Sequence, residues 1–313
     1  MEIIDNFLWV EKYRPQCIDD IILPDRFKKI FKKFIAENNI PNLLLVGPPG
    51  VGKTTIAKAI LKELDCDYII KNGSLDLNKD LLRNDISLFA SSVSFTNKRK
   101  YVIVDEADNL REDILKALRN FTEEFSKNCG FILTGNFKDK FPDYIQSRFS
   151  EINFNLKKDE YNKLQPKIFK RIKQILNNEN VEFDKEVIAQ LIQQFSPDWR
   201  RIINELQKYA GNGSIDSGIL STLNNSSVDH LIELLKDRNF TQVRTWIGEN
   251  IESDPKQMFK EFYQRSSNLF EVSFVPELIL LIAKYQFQAA HSIDQEINLS
   301  AFFVEVMSEA RWK

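Results

Sequence analysis

The chain has 313 residues, more than a single compact core accommodates, and its length suits two or three domains. Its 43 Lys and Arg nearly balance its 45 Asp and Glu, and a composition 43% apolar and 28% charged is that of a globular protein, which excludes wholesale disorder. Split near residues 150 and 225, the first two parts each carry one excess positive charge and the last carries four excess negative charges. A histone-like arm or a polybasic membrane-surface mode does not fit, although nucleic acid stays open because charge can be local or pooled across subunits.

Cys17, Cys66 and Cys129 are odd in number and widely spaced, and with only His230 and His291 beside them they make no zinc constellation; isolated buried thiols in a reducing compartment are expected. The opening MEIIDNFLWVEKYRP has two acids in its first five residues and no long apolar stretch, so it does not read as a signal peptide. The longest apolar run, Leu278 to Ala283, is far short of the ~20 residues that span a bilayer. A cytoplasmic protein is expected.

In chain order, Leu43–Val46, Tyr68–Ile70, Tyr101–Val104 and Phe131–Leu133 are short, continuous apolar runs, each followed closely by polar residues or glycine. Runs of this kind suit a parallel sheet covered by helices on both faces, and their alternation with helical stretches reads as β-α-β units. Glu151–Asn155 reads as a fifth strand. Strand signals then stop. Asp159–Asn178, Asp184–Phe195 and Pro197–Tyr209 read as helices, with Asp184 as an N-cap. GNGSIDSG at 211–218 is a break, and from Val228 onward five stretches carry apolar residues at helical spacing. Boundaries are expected near residues 155 and 226.

Gly47-Pro48-Pro49-Gly50-Val51-Gly52-Lys53-Thr54 fits G-x-x-x-x-G-K-[ST], preceded by the LLLV strand and followed by an amphipathic helix that opens with Thr54 and Thr55. Glycines let backbone N–H groups converge on phosphate oxygens, and the helix N-terminus adds a favourable dipole. Lys53 would reach the β- and γ-phosphates, and the Thr54 hydroxyl would ligate Mg²⁺. Asp105 and Glu106, just past a buried strand, would hold the Mg²⁺ through its water shell and orient the attacking water; the alternative is that they cap the next helix. Asp108 reads equally as a cap or a site residue. Asn136, at the end of Phe131–Leu133-Thr134-Gly135, would hydrogen-bond the γ-phosphate or the water, since strand carboxyl ends point into the ligand crevice.

Trp9-Val10-Glu11-Lys12-Tyr13-Arg14-Pro15, the phosphate loop, DEAD at 105–108, Asn136, Ser147-Arg148 and Pro197-Asp198-Trp199-Arg200 occur in the order seen in AAA+ sliding-clamp loaders. The whole chain resembles the ATPase (large) subunit of T-even-type phage clamp loaders, related to the replication factor C small subunits. The resemblance implies an α/β P-loop AAA+ domain (1–155) with a parallel five-stranded sheet between helices, a small helical lid domain (156–225), and an all-helical collar or oligomerisation domain (226–313). It implies that Val10, Tyr13, Arg14 and Pro15 surround adenine and ribose, with Thr55 completing the loop's nucleotide contacts. Arg148 would reach a neighbouring subunit's ATP, Arg200 would touch the γ-phosphate in cis, and Asn136 would be the first sensor; surface ion pairing is the alternative for both arginines.

In the segment from Asn72 to Asn84, Lys79 and Arg83 would be the DNA contacts. The family's usual basic residue stands here as Leu77, leaving Asn78 or Lys79 as substitutes. Ile86, Leu88 and Phe89 would face the sliding clamp, or else pack in the core. Phe149 stands where many relatives carry Cys. Expected partners are further copies of the chain, a second clamp-loader subunit, the clamp and primer–template DNA, with ATP and Mg²⁺ as cofactors. A helicase-loading or origin-binding AAA+ ATPase, and a subunit that binds ATP without hydrolysing it, are the rival readings; the acidic, helical C-terminus speaks against a DNA-reading domain, and intact Lys53, Asp105 and Glu106 against the second.

Overall fold

The computed structural model describes residues 7–74, 79–92, 98–211, 213–219, 228–250, 255–289, 291–292 and 294–313, without the side chains of a few helical residues, Lys79 and Arg83 among them. The chain divides into two compact units, 1–215 and 216–313.

The first unit is built on five parallel strands: β1 (Leu43–Val46), β2 (Tyr68–Asn72), β3 (Lys100–Asp105), β4 (Cys129–Gly135) and β5 (Ser150–Asn153), in spatial order β2-β3-β4-β1-β5. Every residue of β1 and β4 is buried, as the continuous apolar runs require of a sheet covered on both faces. The strand period of two divides each run between two cores. Leu43, Leu45, Tyr101 and Ile103 join one, with Phe27, Phe31 and Ile60; Leu44, Val46, Val102 and Val104 join the other, with Leu115, Leu118 and Phe149. On the first face, Phe27 and Phe31, one turn apart on α2 (Asp25–Ala36), meet Phe154, with the Phe27 ring 4.9 Å from it. α3 (Lys53–Glu63) buries Ile56, Ala57 and Ile60 on this face, and α5 (Glu112–Glu124) buries Ile114, Leu115 and Leu118 on the other. Between them in sequence lies α4 (Lys79–Ser91), and before α2 the short α1 (Trp9–Lys12). α6 (Asp143–Gln146) leads to β5.

Beyond the sheet come α7 (Lys158–Asn178), α8 (Lys185–Phe195) and α9 (Trp199–Ala210). Asp184 caps α8 by accepting the Glu186 N–H at 2.8 Å, as expected. α9 begins two residues later than its apolar pattern suggests, because Asp198 is itself the cap and accepts the Arg201 N–H at 3.0 Å. Strand signals do not stop at residue 155: β6 (Glu182–Phe183) pairs in parallel with β7 (Ser214–Ile215), inside the expected break. Two residues are too few to show a period. The expected line near 155 falls within the first unit, because the N-terminal segment is tied to the later helices: the Trp9 N–H reaches Gln207 Oε1 at 2.8 Å, and Arg171 Nη2 reaches the Tyr13 carbonyl at 3.0 Å.

The second unit is helical where described: α10 (Val228–Lys236), α11 (Phe240–Asn250), α12 (Pro255–Leu269), α13 (Val275–Ala289) and α14 (Gln295–Glu309). Its core is aromatic, with Phe259, Phe262, Phe270, Phe274, Phe302 and Phe303 fully buried. Trp312 closes it, its ring 4.5 Å from Phe270 and its backbone bridged to the same residue. Among the described residues no helix is long and apolar enough to cross a membrane.

Candidate nucleotide site

The phosphate loop joins β1 to α3, at the carboxyl end of the sheet where strand ends open onto the crevice. Gly47, at φ 147°, lies so close to β5's end that a Cβ would stand 2.8 Å from Phe154 Cβ. Lys53 is the first residue of α3 and is 9% exposed. Its ammonium donates to the carbonyls of Gly47 at 2.7 Å and Pro48 at 2.8 Å, and to Asn136 Oδ1 at 2.9 Å. Burial pulls its pKa down to about 8, against the opposing pull of the Asp108 and Asp105 carboxylates.

The Thr54 hydroxyl donates to Asp105 Oδ1 at 2.7 Å, and the Thr134 hydroxyl donates to the same oxygen. Glu106 holds a left-handed backbone, φ 53°, a conformation costing a non-glycine residue about 1 kcal/mol. Its N–H donates to Thr134 Oγ1 at 3.2 Å, and its carboxylate accepts from the Ser74 hydroxyl, which in turn accepts from Asn109 Nδ2 at 2.9 Å. Asp105 and Glu106 are thus held by partners on neighbouring strands and loops. The helix-capping alternative is not what the structure shows: no side-chain cap is made by Glu106 at the turn it opens.

Two adjoining cavities result. One is lined by Pro49, Gly52, Lys53, Thr54, Asp105, Glu106 and Asn136, with Thr134 and Arg200. The other is lined by Val10, Tyr13, Arg14 and Pro15 from the N-terminal segment, by Gly50, Val51, Gly52 and Thr55 from the loop and α3, and by Ile168, Arg171, Ile175, Trp199 and Arg200 from α7 and α9. Arg200 borders both. Arg14 Nη1 donates to Thr55 Oγ1 at 3.0 Å, and its guanidinium grips Glu11, holding that carboxyl below its ordinary pKa. Tyr13 and Lys12 both donate to the Glu179 carboxylate. A polar cavity that sets Lys53 and Arg200 opposite Asp105 and Glu106, beside an apolar one with an aromatic edge, fits a nucleoside polyphosphate with its cation.

Arg148 is not brought into either cavity of its own chain. It lies after α6, where Nε donates to Glu123 Oε1 at 2.8 Å and Nη1 to the Tyr144 carbonyl at 3.1 Å. The guanidinium holds Glu123 below its ordinary pKa. The three clamp candidates separate: Ile86 is fully buried in the second core, so it does not face outward; Phe89 is partly buried against that core; Leu88 is 71% exposed. Lys79 and Arg83 lie on α4 with side chains outside the described residues, and Leu77 and Asn78 lie outside them altogether. Sequence reasoning missed Thr134 and Arg171. The first has a signal in retrospect: the register pairing Val104 with Leu133 sets Asp105 beside Thr134.

A parallel five-stranded sheet with a phosphate loop after β1, an acidic pair spanning the end of β3 and a polar residue after β4 defines a P-loop ATPase of the AAA+ class. Residues 43–156 match the family model "ATPase family associated with various cellular activities (AAA)", and 160–221 match "Sliding-clamp-loader large subunit, AAA+ ATPase lid domain". The chain belongs to the sliding-clamp-loader large-subunit family. It is 32% identical to the sliding-clamp-loader large subunit of Enterobacteria phage T4, over 97% of this chain and 96% of that one. It is 37% identical to that of Escherichia phage RB69, over 75% of each. The replication factor C small subunit of Sulfolobus acidocaldarius is 31% identical over 98% of this chain and 97% of its own. Among solved structures, the Thermotoga maritima RuvB Holliday junction branch migration motor is similar in fold, with TM-score 0.54 and 23% identity over 71% of this chain and 78% of that one.

Proposed function

We propose that the chain is the ATPase subunit of a DNA sliding-clamp loader, which binds and hydrolyses ATP between subunits to open the clamp and place it on primer–template DNA. The observation that carries this reading is the division of one constellation over two surfaces. Lys53, Thr54, Asp105, Glu106, Asn136 and Arg200 gather at one site, while Arg148, in the Ser147-Arg148 dipeptide, is held elsewhere by Glu123. The chain supplies a full cis site and a trans arginine, so a second copy completes it.

In this reading the loop N–H groups and Lys53 hold the β- and γ-phosphates, and the apolar cavity takes the adenosine, with Tyr13 and Arg14 at its rim. Glu106 orients the attacking water and accepts its proton, Asn136 hydrogen-bonds the γ-phosphate or that water, and Arg200 meets the γ-phosphate from α9, so that nucleotide state sets the lid angle. The neighbour's Arg148 neutralises charge developing on the transferred phosphoryl, a contribution of about 10³–10⁵ in rate for such arginines. The hydroxyl of Thr54 and the carboxylate of Asp105, 2.7 Å apart, are hard oxygen donors that suit Mg²⁺. That ion would screen the phosphate charge when bound.

Three functional parts, 1–155, 156–225 and 226–313, serve as ATPase, lid and collar. Lys79 and Arg83 serve DNA phosphates, and Leu88 with the exposed part of Phe89 serves the clamp. Other copies, a second loader subunit, the clamp and primed DNA are the partners, in the cytoplasm, which is the host's if the chain is phage-encoded. ATP turnover measured with primed DNA and a sliding clamp, together and singly, tests this. Stimulation by both supports the reading, whereas indifference to the clamp favours a helicase loader.

A further inference from the structure

One buried carboxylate near the phosphate cavity has no part in that scheme. Asp108 is 7% exposed, on the turn Ala107–Asn109 after β3. Its Oδ2 does not cap its own turn. Instead it accepts the backbone N–H groups of Asn136 at 3.0 Å and Phe137 at 3.3 Å, at the end of β4. Its Oδ1 is buried without a hydrogen-bond partner among the described residues. The intervening Gly135 fits tightly: a Cβ there would stand 2.7 Å from the Phe141 ring and 3.2 Å from Asp108 Cβ. The turn carrying Asn136 is therefore shaped around this carboxylate. With Asn136 Oδ1 accepting from Lys53, the Asn136 Nδ2 is the donor left to face the cavity.

We infer that Asp108 is a positioning residue for ATP turnover: by anchoring the N–H groups of Asn136 and Phe137 it aims the Asn136 amide at the γ-phosphate position. A carboxylate accepting two N–H groups holds a turn more firmly than a neutral acceptor does. The inference rests on reading the cavity as an ATP site, and it routes the preference for a γ-phosphate through Asn136, apart from the charge that Asp108 offers Lys53.

The test compares the affinities of the full-length chain for a non-hydrolysable ATP analogue and for ADP, in Asp108→Ala, Asp108→Asn, Asn136→Ala and the double variant Asp108→Ala/Asn136→Ala. Loss of a hydrogen bond to a charged γ-phosphate should lower the ratio of the two affinities about tenfold in Asn136→Ala. Asp108→Ala should match it, and the double variant should fall no further. Asp108→Asn, which keeps the shape and one acceptor oxygen, should fall less, and it decides the matter if Asp108→Ala does not fold. A merely structural role would weaken both nucleotides alike. An unchanged ratio in the Asp108 variants, or effects that multiply in the double variant, overturns the inference. Retained analogue binding by Lys53→Ala would instead overturn the reading of the site.

Discussion

Gly50 and Asp198 leave no space between them: a Cβ on Gly50 would stand 1.8 Å from Asp198 Oδ1 and 3.0 Å from its Cα. Gly50 is the middle of the phosphate loop, at φ 74°, and Asp198 is the cap of α9, the helix that presents Arg200. The loop and the lid helix thus meet through a missing side chain. Gly50→Ala should cost about 1 kcal/mol for the left-handed backbone alone, and it forces the α9 cap away from the loop. We expect nucleotide affinity to fall at least about tenfold in an equilibrium titration, with a lower Tm. Affinity equal to that of the unaltered chain would show that the two elements are not coupled there.

Ile86 and Leu88, two residues apart on α4, should behave as opposites. Ile86→Ala removes a fully buried side chain and should destabilise by about 2–5 kcal/mol in a denaturant titration. Leu88, 71% exposed, should tolerate Ala with stability changed by less than about 0.5 kcal/mol, while stimulation of ATP turnover by the clamp declines. Clamp stimulation untouched by Leu88→Ala would remove this helix face from the clamp interface.

Cys129 is fully buried on β4, and burial pushes its thiol up to about 12. Unfolded, a thiol titrates near 8.5. Below that pH both states keep the proton and stability does not depend on it. Between about 8.5 and 12 only the unfolded chain releases it, so stability declines as pH rises, by up to about 1.4 kcal/mol per pH unit. Cys129→Ala should flatten the alkaline fall in unfolding free energy between pH 8 and pH 10. The thiol should also resist alkylation until the chain unfolds, whereas half-buried Cys17 and Cys66 should react sooner. An identical pH slope in Cys129→Ala would contradict this.

The sheet and its loop were legible because their signals are local. Apolar runs such as Leu43–Val46, doubly buried, announce parallel strands, and the loop motif follows the first of them directly. Asp184 as a cap was legible for the same reason. What escaped depends on distant partners. Trp9 meets Gln207 across 198 positions and Tyr13 meets Glu179 across 166, so the seam joining the N-terminal segment to α7 and α9 leaves no periodicity to read. Ile86, Leu88 and Phe89 are all apolar on one helix, and only packing separates the buried residue from the exposed one. Asp108 reads equally as a cap or a site residue from sequence, because its contacts, Asn136 and Phe137, come in from the end of another strand.

Whether one chain's Arg148 completes another chain's site is decided by mixing two inactive variants. Lys53→Ala disables the cis site but keeps Arg148; Arg148→Ala keeps the site but lacks the residue it offers to a neighbour. Each alone should be low in ATP turnover. In a mixed assembly, the intact site of an Arg148→Ala subunit can receive Arg148 from a Lys53→Ala neighbour, so turnover should recover to a sizeable fraction of the unaltered protein's. Mixtures that assemble and recover nothing would contradict the shared site.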